Sequence, residues 1–445
     1  MLLTRRAFFL FLLNVPLLAG AIIAPALLYL AGVYFFLILG MIFADRVITP
    51  APKEFDLARI NDSRLSLGAE NLVVIRVTNR SRRAARVIVR DEFPAQFIAD
   101  QLVLREQKIA PRATGEFRYH IRPPRRGDYR FGDLNLRWRG ILGLIVRQAR
   151  FPAGAPVKVY PNLLDIRKYE LLVRKGQLAE MGLRQTRWLG SGTQFERLRE
   201  YQFDDEFRRI DWKATARRGK PITREFETER SQNIIALLDV GRLMRAPVGG
   251  PSASSGHSLE KVDYAVNAAL MLSYVAGLRG DKVGLLAFAD NVTHYLPPKA
   301  GKGQFYRMLA TLYAIESQPV EADYTRAFAY LRAKHKKRSL IILFTDLASG
   351  LAAKTLVAQI APLWPRHLPL LVALNDPAVV AIARVMPNDS PSVYERMVAE
   401  QLLDERAVTL ESLRRRGILT LDVPANQLTI AVVNKYLELK ARGKL

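Results

Sequence analysis

From Ala7 to Ala44 the chain carries no charged side chain, and this run constrains how everything after it is organised. It is about twice the roughly 20 apolar residues that a membrane-spanning helix needs. Asn14, Pro16, Gly20 and Pro25 interrupt it and place the turn of a helical hairpin near Ala24-Pro25. Arg5 and Arg6 precede the run and Arg46 follows it. Positive flanks stay on the cytoplasmic side, which predicts a multi-pass protein of the inner membrane with its large domain in the cytoplasm. The segment Thr4-Arg5-Arg6-Ala7-Phe8-Phe9-Leu10 competes as a twin-arginine signal. Against that, the apolar run continues past one signal-length core, and Leu18-Ala19-Gly20-Ala21 is a poor cleavage site.

A chain of 445 residues has room for two or three domains, each with its own core. The absence of cysteine excludes disulfide staples and cysteine metal sites. Five scattered histidines offer no pair at metal-ligand spacing. Lys and Arg number 67 against 42 Asp and Glu, a formal charge of +25. Much of that excess lies between Arg76 and Arg150, with eighteen basic and seven acidic residues. A basic module so close to the apolar run is attracted to anionic lipid headgroups, unless its arginines only solvate the outer strand faces.

After the linker Thr49-Pro50-Ala51-Pro52, short alternating strands fill the region to about Leu163. They include Leu72–Thr78, Ala85–Arg90, Gly115–Ile121, Gly127–Phe131, Leu134–Trp138 and Val157–Tyr160, a pattern that predicts an immunoglobulin-like β module. From Asn233 onward, continuously apolar strands alternate with helices: Asn233–Asp239, Leu259–Arg279, Lys282–Phe288, Gln304–Ile315, Tyr324–Lys334, Ser339–Asp346 and Leu368–Leu374. Helices at Val393–Arg416 and Asn426–Arg442 close the chain. This alternation predicts a doubly wound α/β sheet. The expected plan is a transmembrane hairpin over 1–48, a β-sandwich-like module over 49–165, a connector over 166–230 and an α/β domain over 231–445.

The connector contains the most specific local pattern. From Glu196 to Arg230 ten basic and nine acidic residues interleave with Leu198, Tyr201, Phe203, Phe207, Ile210, Trp212 and Phe226. Such balance predicts arginine forks meeting carboxylates against aromatic faces, at a surface or a domain junction. The residues Arg199, Tyr201, Asp205, Arg209, Ile210, Asp211, Trp212, Lys213, Ala216 and Arg217, followed by an aspartate-ended strand, resemble the domain-of-unknown-function-58 family. Where that family usually has Gly-Asp, this chain has Asp204-Asp205. The resemblance implies a membrane-anchored protein with a von Willebrand A-like domain, partnered by a MoxR-type AAA ATPase. It implies a chaperone-like role in the assembly or maturation of other membrane or envelope proteins. Arg199, Tyr201, Asp205, Arg209, Asp211, Trp212, Lys213 and Arg217 are the residues it assigns to the interaction surface.

Ligands of open α/β sheets sit at the carboxyl ends of strands, where Asp239 and Asp346 stand. The resemblance implies a divalent cation there, with hydroxyls from a D-x-S-x-S pattern and a threonine. This chain reads Asp239-Val240-Gly241-Arg242-Leu243, without either serine, and Thr325 matches the threonine only loosely. Magnesium wants several hard oxygens, so Asp239, Thr325 and Asp346 make a degenerate metal site. Arg242 is expected to pair with Asp239 or Asp346 and take the cation's place. No phosphate-binding loop, zinc motif or nucleophile elbow occurs, and Asp204 and Asp205, among arginines, suit ion pairing more than proton transfer. The reading is a non-catalytic membrane adaptor. Two others compete: a basic protein that binds nucleic acid or anionic lipid, and a metal-dependent hydrolase using the strand-end aspartates.

Overall fold

The computed structural model describes residues 2–101, 103–104, 106–175, 194–202, 207, 210–227, 231–248, 259–347, 351–375, 377–387 and 389–443. It divides into two compact units, Met1–Tyr160 and Pro161–Leu445.

In the first unit the apolar run forms helices Arg5–Leu12, Asn14–Gly20 and Ala26–Ile48. The chain reverses between Gly20 and Ala26, close to the expected turn. Tyr34 donates to the Leu10 carbonyl at 3.2 Å, and the Phe11 and Phe35 rings lie 5.9 Å apart. Of the two membrane-crossing helices expected, the structure supports one. Among the described residues, only the leg beginning at Ala26 is long and apolar enough to cross a bilayer; its 23 helical residues extend about 35 Å. The first leg is broken at Leu13 because Pro16 has no amide hydrogen to return to Leu12, and its ring crowds the preceding turn.

Both legs are tied to the same loop of the β module. Thr4 donates its amide to Leu144 O at 2.9 Å and its hydroxyl to Gly143 O at 2.8 Å. Buried Asp45 accepts the amides of Leu144 at 2.7 Å and Ile145 at 3.0 Å. The module is a sandwich of two mainly antiparallel sheets with a three-stranded flank. One sheet holds Phe55–Asn61, Asn71–Asn79 and Thr114–Arg122; the other holds Ala85–Asp91, Leu134–Arg139 and Ile145–Phe151. Strict alternation along Asn71–Asn79 buries Val73, Ile75 and Val77 and turns Leu72 and Arg76 outward. Facing side chains join the sheets: the Phe55 and Trp138 rings are 5.0 Å apart, and Tyr119 donates to Asp91 at 2.5 Å. Arg59 completes that contact, with its Nε 2.9 Å from Asp91 and its guanidinium 4.5 Å from the Phe131 ring centre.

The second unit is built on a six-stranded sheet. Its order is Val292–Lys299, Lys282–Phe288, Asn233–Asp239, Leu340–Thr345, Leu368–Asn375 and Leu419–Pro424. All neighbours are parallel except the first pair. The central strands are buried along nearly their whole length, which is why they read as continuous apolar runs. Helices Tyr324–Lys334, Leu351–Ile360 and Ser390–Arg415 pack on one face, through a core that includes Phe328, Leu331, Ile360 and Leu413. Helices Lys261–Leu278 and Leu428–Ala441 pack together outside that core, the first of them against the strands ending at Asp239 and Phe288. From Asp239 the chain winds first to one side of its strand and then returns to the other, so the sheet's switch point falls at that residue.

Candidate functional site

The strand-end aspartates do meet. Asp239 closes its strand, Asp346 follows Thr345 at the end of the adjacent one, and both line a cleft of about 570 Å³. The rest of the wall includes Gly241, Lys261, Tyr324, Leu402, Leu403 and Arg406.

Asp239 is 2% exposed and its carboxylate is fully engaged. The Gly241 amide donates to Oδ1 at 2.8 Å. Thr345 Oγ1 lies 2.6 Å from Oδ2, and Tyr324 OH lies 3.2 Å from the same oxygen and 3.0 Å from Thr345 Oγ1. Burial holds the Asp239 carboxyl above the ordinary carboxylate range; the three hydrogen bonds work the other way without cancelling it, and nearby Asp346 adds to the rise. The Tyr324 hydroxyl is pushed well up, first by its own burial and then by Asp239. Gly241 is required by space: a Cβ there would lie 2.9 Å from Val320 O and 3.2 Å from Asp239 Oδ1.

Asp346 is held by two cations. Lys261 Nζ is 2.7 Å from Oδ2 and Arg406 Nη1 is 3.1 Å from Oδ1, while Arg406 Nη2 reaches Asp422 at 2.8 Å. The Lys261 and Arg406 side chains are 9% and 10% exposed, so these charges are largely withdrawn from water. Lys261 stands there because it opens its helix immediately after Glu260, which shares a capping box with Asp263.

Two sequence expectations are therefore corrected. Arg242 does not pair with either aspartate; it bonds exposed Glu321 at 2.9 Å. The short helical turn Arg242–Arg245 carries its side chain outward to solvent, and Lys261 and Arg406 take the place expected for it. Thr325 is exposed in the first turn of its helix, whereas its neighbour Tyr324 points inward onto Asp239. The sequence reading passed over Lys261, Tyr324, Thr345 and Arg406. Thr345 and Tyr324 each adjoin a residue it did select, but nothing local marks Lys261 or Arg406.

These donors do not fit a divalent cation. Both oxygens of Asp346 face ammonium or guanidinium, both oxygens of Asp239 face N–H or O–H groups, and magnesium would need several of these oxygens free. Among the described residues no group of three or more His, Asp or Glu side chains could hold a metal.

The connector residues lie elsewhere in the unit. Gln194–Glu200 and Ile222–Glu227 pair as an antiparallel ribbon, and the helix Trp212–Arg218 sits between them in the chain. Asp211 caps that helix, accepting the amides of Lys213 and Ala214 at 3.0 Å each. Gly219 ends it with φ +67°, a conformation that favours glycine. Arg199 is half-buried on the ribbon, and Tyr201 continues it through its amide to Pro221 O at 3.0 Å. Lys213 and Arg217 are exposed; Trp212 is 60% exposed and packs edge-on against Phe207 at 5.5 Å. Asp205 and Arg209 lie outside the described residues. The expected ion-pair packing is represented among the described residues by an exposed bond between Lys220 and Glu200.

Similar proteins exist. An uncharacterized protein of Mycobacterium tuberculosis, Rv1480, is 25% identical over 271 residues, 58% of this chain and 82% of that protein. The uncharacterized protein YeaD of Bacillus subtilis is 31% identical over 121 residues, 27% of this chain and 30% of its own length. The crystal structure of the conserved hypothetical protein BatB from Bacteroides thetaiotaomicron matches 48% of this chain and all of that chain, with 14% identity and a TM-score of 0.31. Residues 197–386, which contain the connector pattern and both strand-end aspartates, match the family described as protein of unknown function DUF58.

Proposed function

We propose that this chain is a membrane-anchored scaffold without catalytic activity of its own, whose α/β domain is of the von Willebrand A type and presents a protein-binding face. The observation that carries the reading is the bond from Lys261 to Asp346 at 2.7 Å. An internal ammonium occupies the carboxylate on which metal chemistry at the strand ends would depend, so the cleft is a closed polar floor beneath apolar walls. Leu402, 45% exposed, and Leu403 supply part of those walls, a combination suited to holding a partner segment. The exposed Trp212–Phe207 pair, with Lys213 and Arg217, supports a second contact on the same unit, since exposed aromatics and arginines are favoured at interfaces.

The helix Ala26–Ile48 supplies the anchor, and the basic flanks Arg5, Arg6 and Arg46 favour a cytoplasmic location for the large domain. The partner implied by the family resemblance is a MoxR-type AAA ATPase, with envelope or membrane proteins as clients. Affinity recovery of the detergent-solubilised chain from its host, with and without ATP, tests this. Nucleotide-dependent recovery of an AAA ATPase, weakened by Trp212→Ala, is the expected result. Recovery of nucleic acid, or of no ATPase in either condition, would overturn the partner assignment.

A further inference from the structure

At the foot of the membrane helix lies a second cleft, of about 600 Å³. Six arginines line it, Arg46, Arg80, Arg82, Arg83, Arg112 and Arg147, against a single carboxylate among the described lining residues, Glu54. Glu54 already accepts the Ala51 amide at 2.6 Å.

Two of these guanidiniums are fixed by carbonyls at the end of the helix. Arg83 Nη1 bonds Ile48 O at 2.6 Å, while Arg147 Nη2 and Nη1 bond Arg46 O at 2.7 Å and Pro50 O at 3.2 Å. Carbonyl oxygens orient a guanidinium without cancelling its charge. The turn bearing Arg80, Arg82 and Arg83 is pinned by hydrogen bonds. Fully buried Asn79 bonds Arg83 O at 2.8 Å and Ala110 O at 3.2 Å, and its Oδ1 accepts the Ser81 hydroxyl at 2.7 Å. Arg112, held to Ser81 O through its amide, has φ +55°, a conformation that non-glycine side chains seldom adopt. Arg80 meets Asp56 at 2.6 Å, where both are exposed.

So many like charges on a hydrogen-bonded frame repel one another, and an anion in the cleft relieves that repulsion. Guanidinium forks match phosphate oxygens in pairs. The position narrows the source: Phe43, about one turn above the cleft, and Val47, in its wall, are 68% and 64% exposed apolar side chains on the membrane helix. We propose that this cleft is a phosphate site which takes the headgroup of an anionic phospholipid from the leaflet at the helix end. The assignment rests on the membrane-anchored reading given above.

The test is native mass spectrometry of the full chain in non-ionic detergent, titrated with phosphatidylglycerol, phosphatidylcholine or inorganic phosphate. The expected result is retention of phosphatidylglycerol over phosphatidylcholine, weakened at least about tenfold by Arg82→Gln with Arg112→Asn, as two lost basic contacts imply. Both residues are exposed, and asparagine tolerates the Arg112 backbone; Arg82→Gln alone serves if the pair lowers the yield of folded protein. Equal retention of the two lipids, or retention unchanged in both variants, would overturn the site. Displacement of phosphatidylglycerol by millimolar phosphate would overturn the lipid source and leave a free-anion site. Retention of the parent chain in alkali-washed membranes, measured separately, shows whether any failure lies in the anchoring instead.

Discussion

Lys261 Nζ sits 2.7 Å from Asp346 Oδ2, across 85 residues of sequence and at the carboxyl edge of the central sheet. The two side chains are 9% and 15% exposed, so each has given up most of its water for the other. Breaking a buried pair from one side leaves a charge without its partner, but here Arg406 remains on Asp346. Lys261→Met is therefore expected to lower stability by about 2 kcal/mol, less than a fully orphaned carboxylate costs. Urea denaturation of the purified chain measures this; an unchanged midpoint would show that the pair contributes nothing.

The same pair bears on metals. Addition of millimolar Mg²⁺ or of EDTA is expected to leave the melting temperature of the parent chain unchanged, because ligands that bind only the folded state must raise it. A Mg²⁺-dependent rise that disappears in Asp346→Ala would show a working cation site at the strand ends.

Asp239 gives a pH dependence of definite sign. Its folded-state carboxyl is raised above the ordinary range, chiefly by burial, so the folded protein binds more protons there than the unfolded chain. That contribution to stability is fully present below the unfolded value and is lost as pH rises through the folded one. Asp239→Asn removes the term. The stability of the variant relative to the parent should increase with pH across that window, read as the difference between two urea series; a difference independent of pH would refute the buried-acid reading.

Tyr324 is 4% exposed, and its hydroxyl touches both Asp239 and Thr345. Tyr324→Phe keeps the ring's edge-on contact with Phe288, at 5.8 Å, and loses only the hydroxyl. A loss of about 1 kcal/mol is expected, the usual net value of one hydrogen bond. Trp212→Ala should behave oppositely: at 60% exposure it should move stability by no more than about 0.5 kcal/mol while reducing partner recovery. Thermal melts of both variants in parallel separate the buried contact from the surface one.

Asp45 accepts two amides of the β module from the last turns of the apolar helix Ala26–Ile48. Asp45→Ala leaves the Leu144 and Ile145 amides without that acceptor in a buried place. A cost of about 2 to 4 kcal/mol is expected, one desolvated donor at a time. Limited proteolysis near Gly140–Ile145 should then accelerate, and cleavage at the parent rate would show that the clamp is dispensable.

Much of the architecture is legible in the order of the residues alone. Proline and glycine place the chain reversal after Gly20, period-two alternation finds the strands around Val73 and Val87, and unbroken apolar runs find the central strands ending at Asp239 and Thr345. Each of these signals is local: a strand or helix reports its own burial through its own periodicity. The edge strands Val292–Lys299 and Leu419–Pro424 escape for the same reason. They are only half-buried, and the first contains Pro297 and Pro298, which weaken a strand reading even though an edge tolerates them.

The sequence by itself also puts two aspartates at strand ends, because parallel strands run apolar until they leave the core. What stands opposite those aspartates is decided only in three dimensions. Lys261 and Arg406 reach Asp346 from helices 85 and 60 residues away, and Thr345 reaches Asp239 across 106. Periodicity shows which face of an element is buried. It carries no record of which distant charge lies across from it, because that depends on the order and spacing of strands in the assembled sheet.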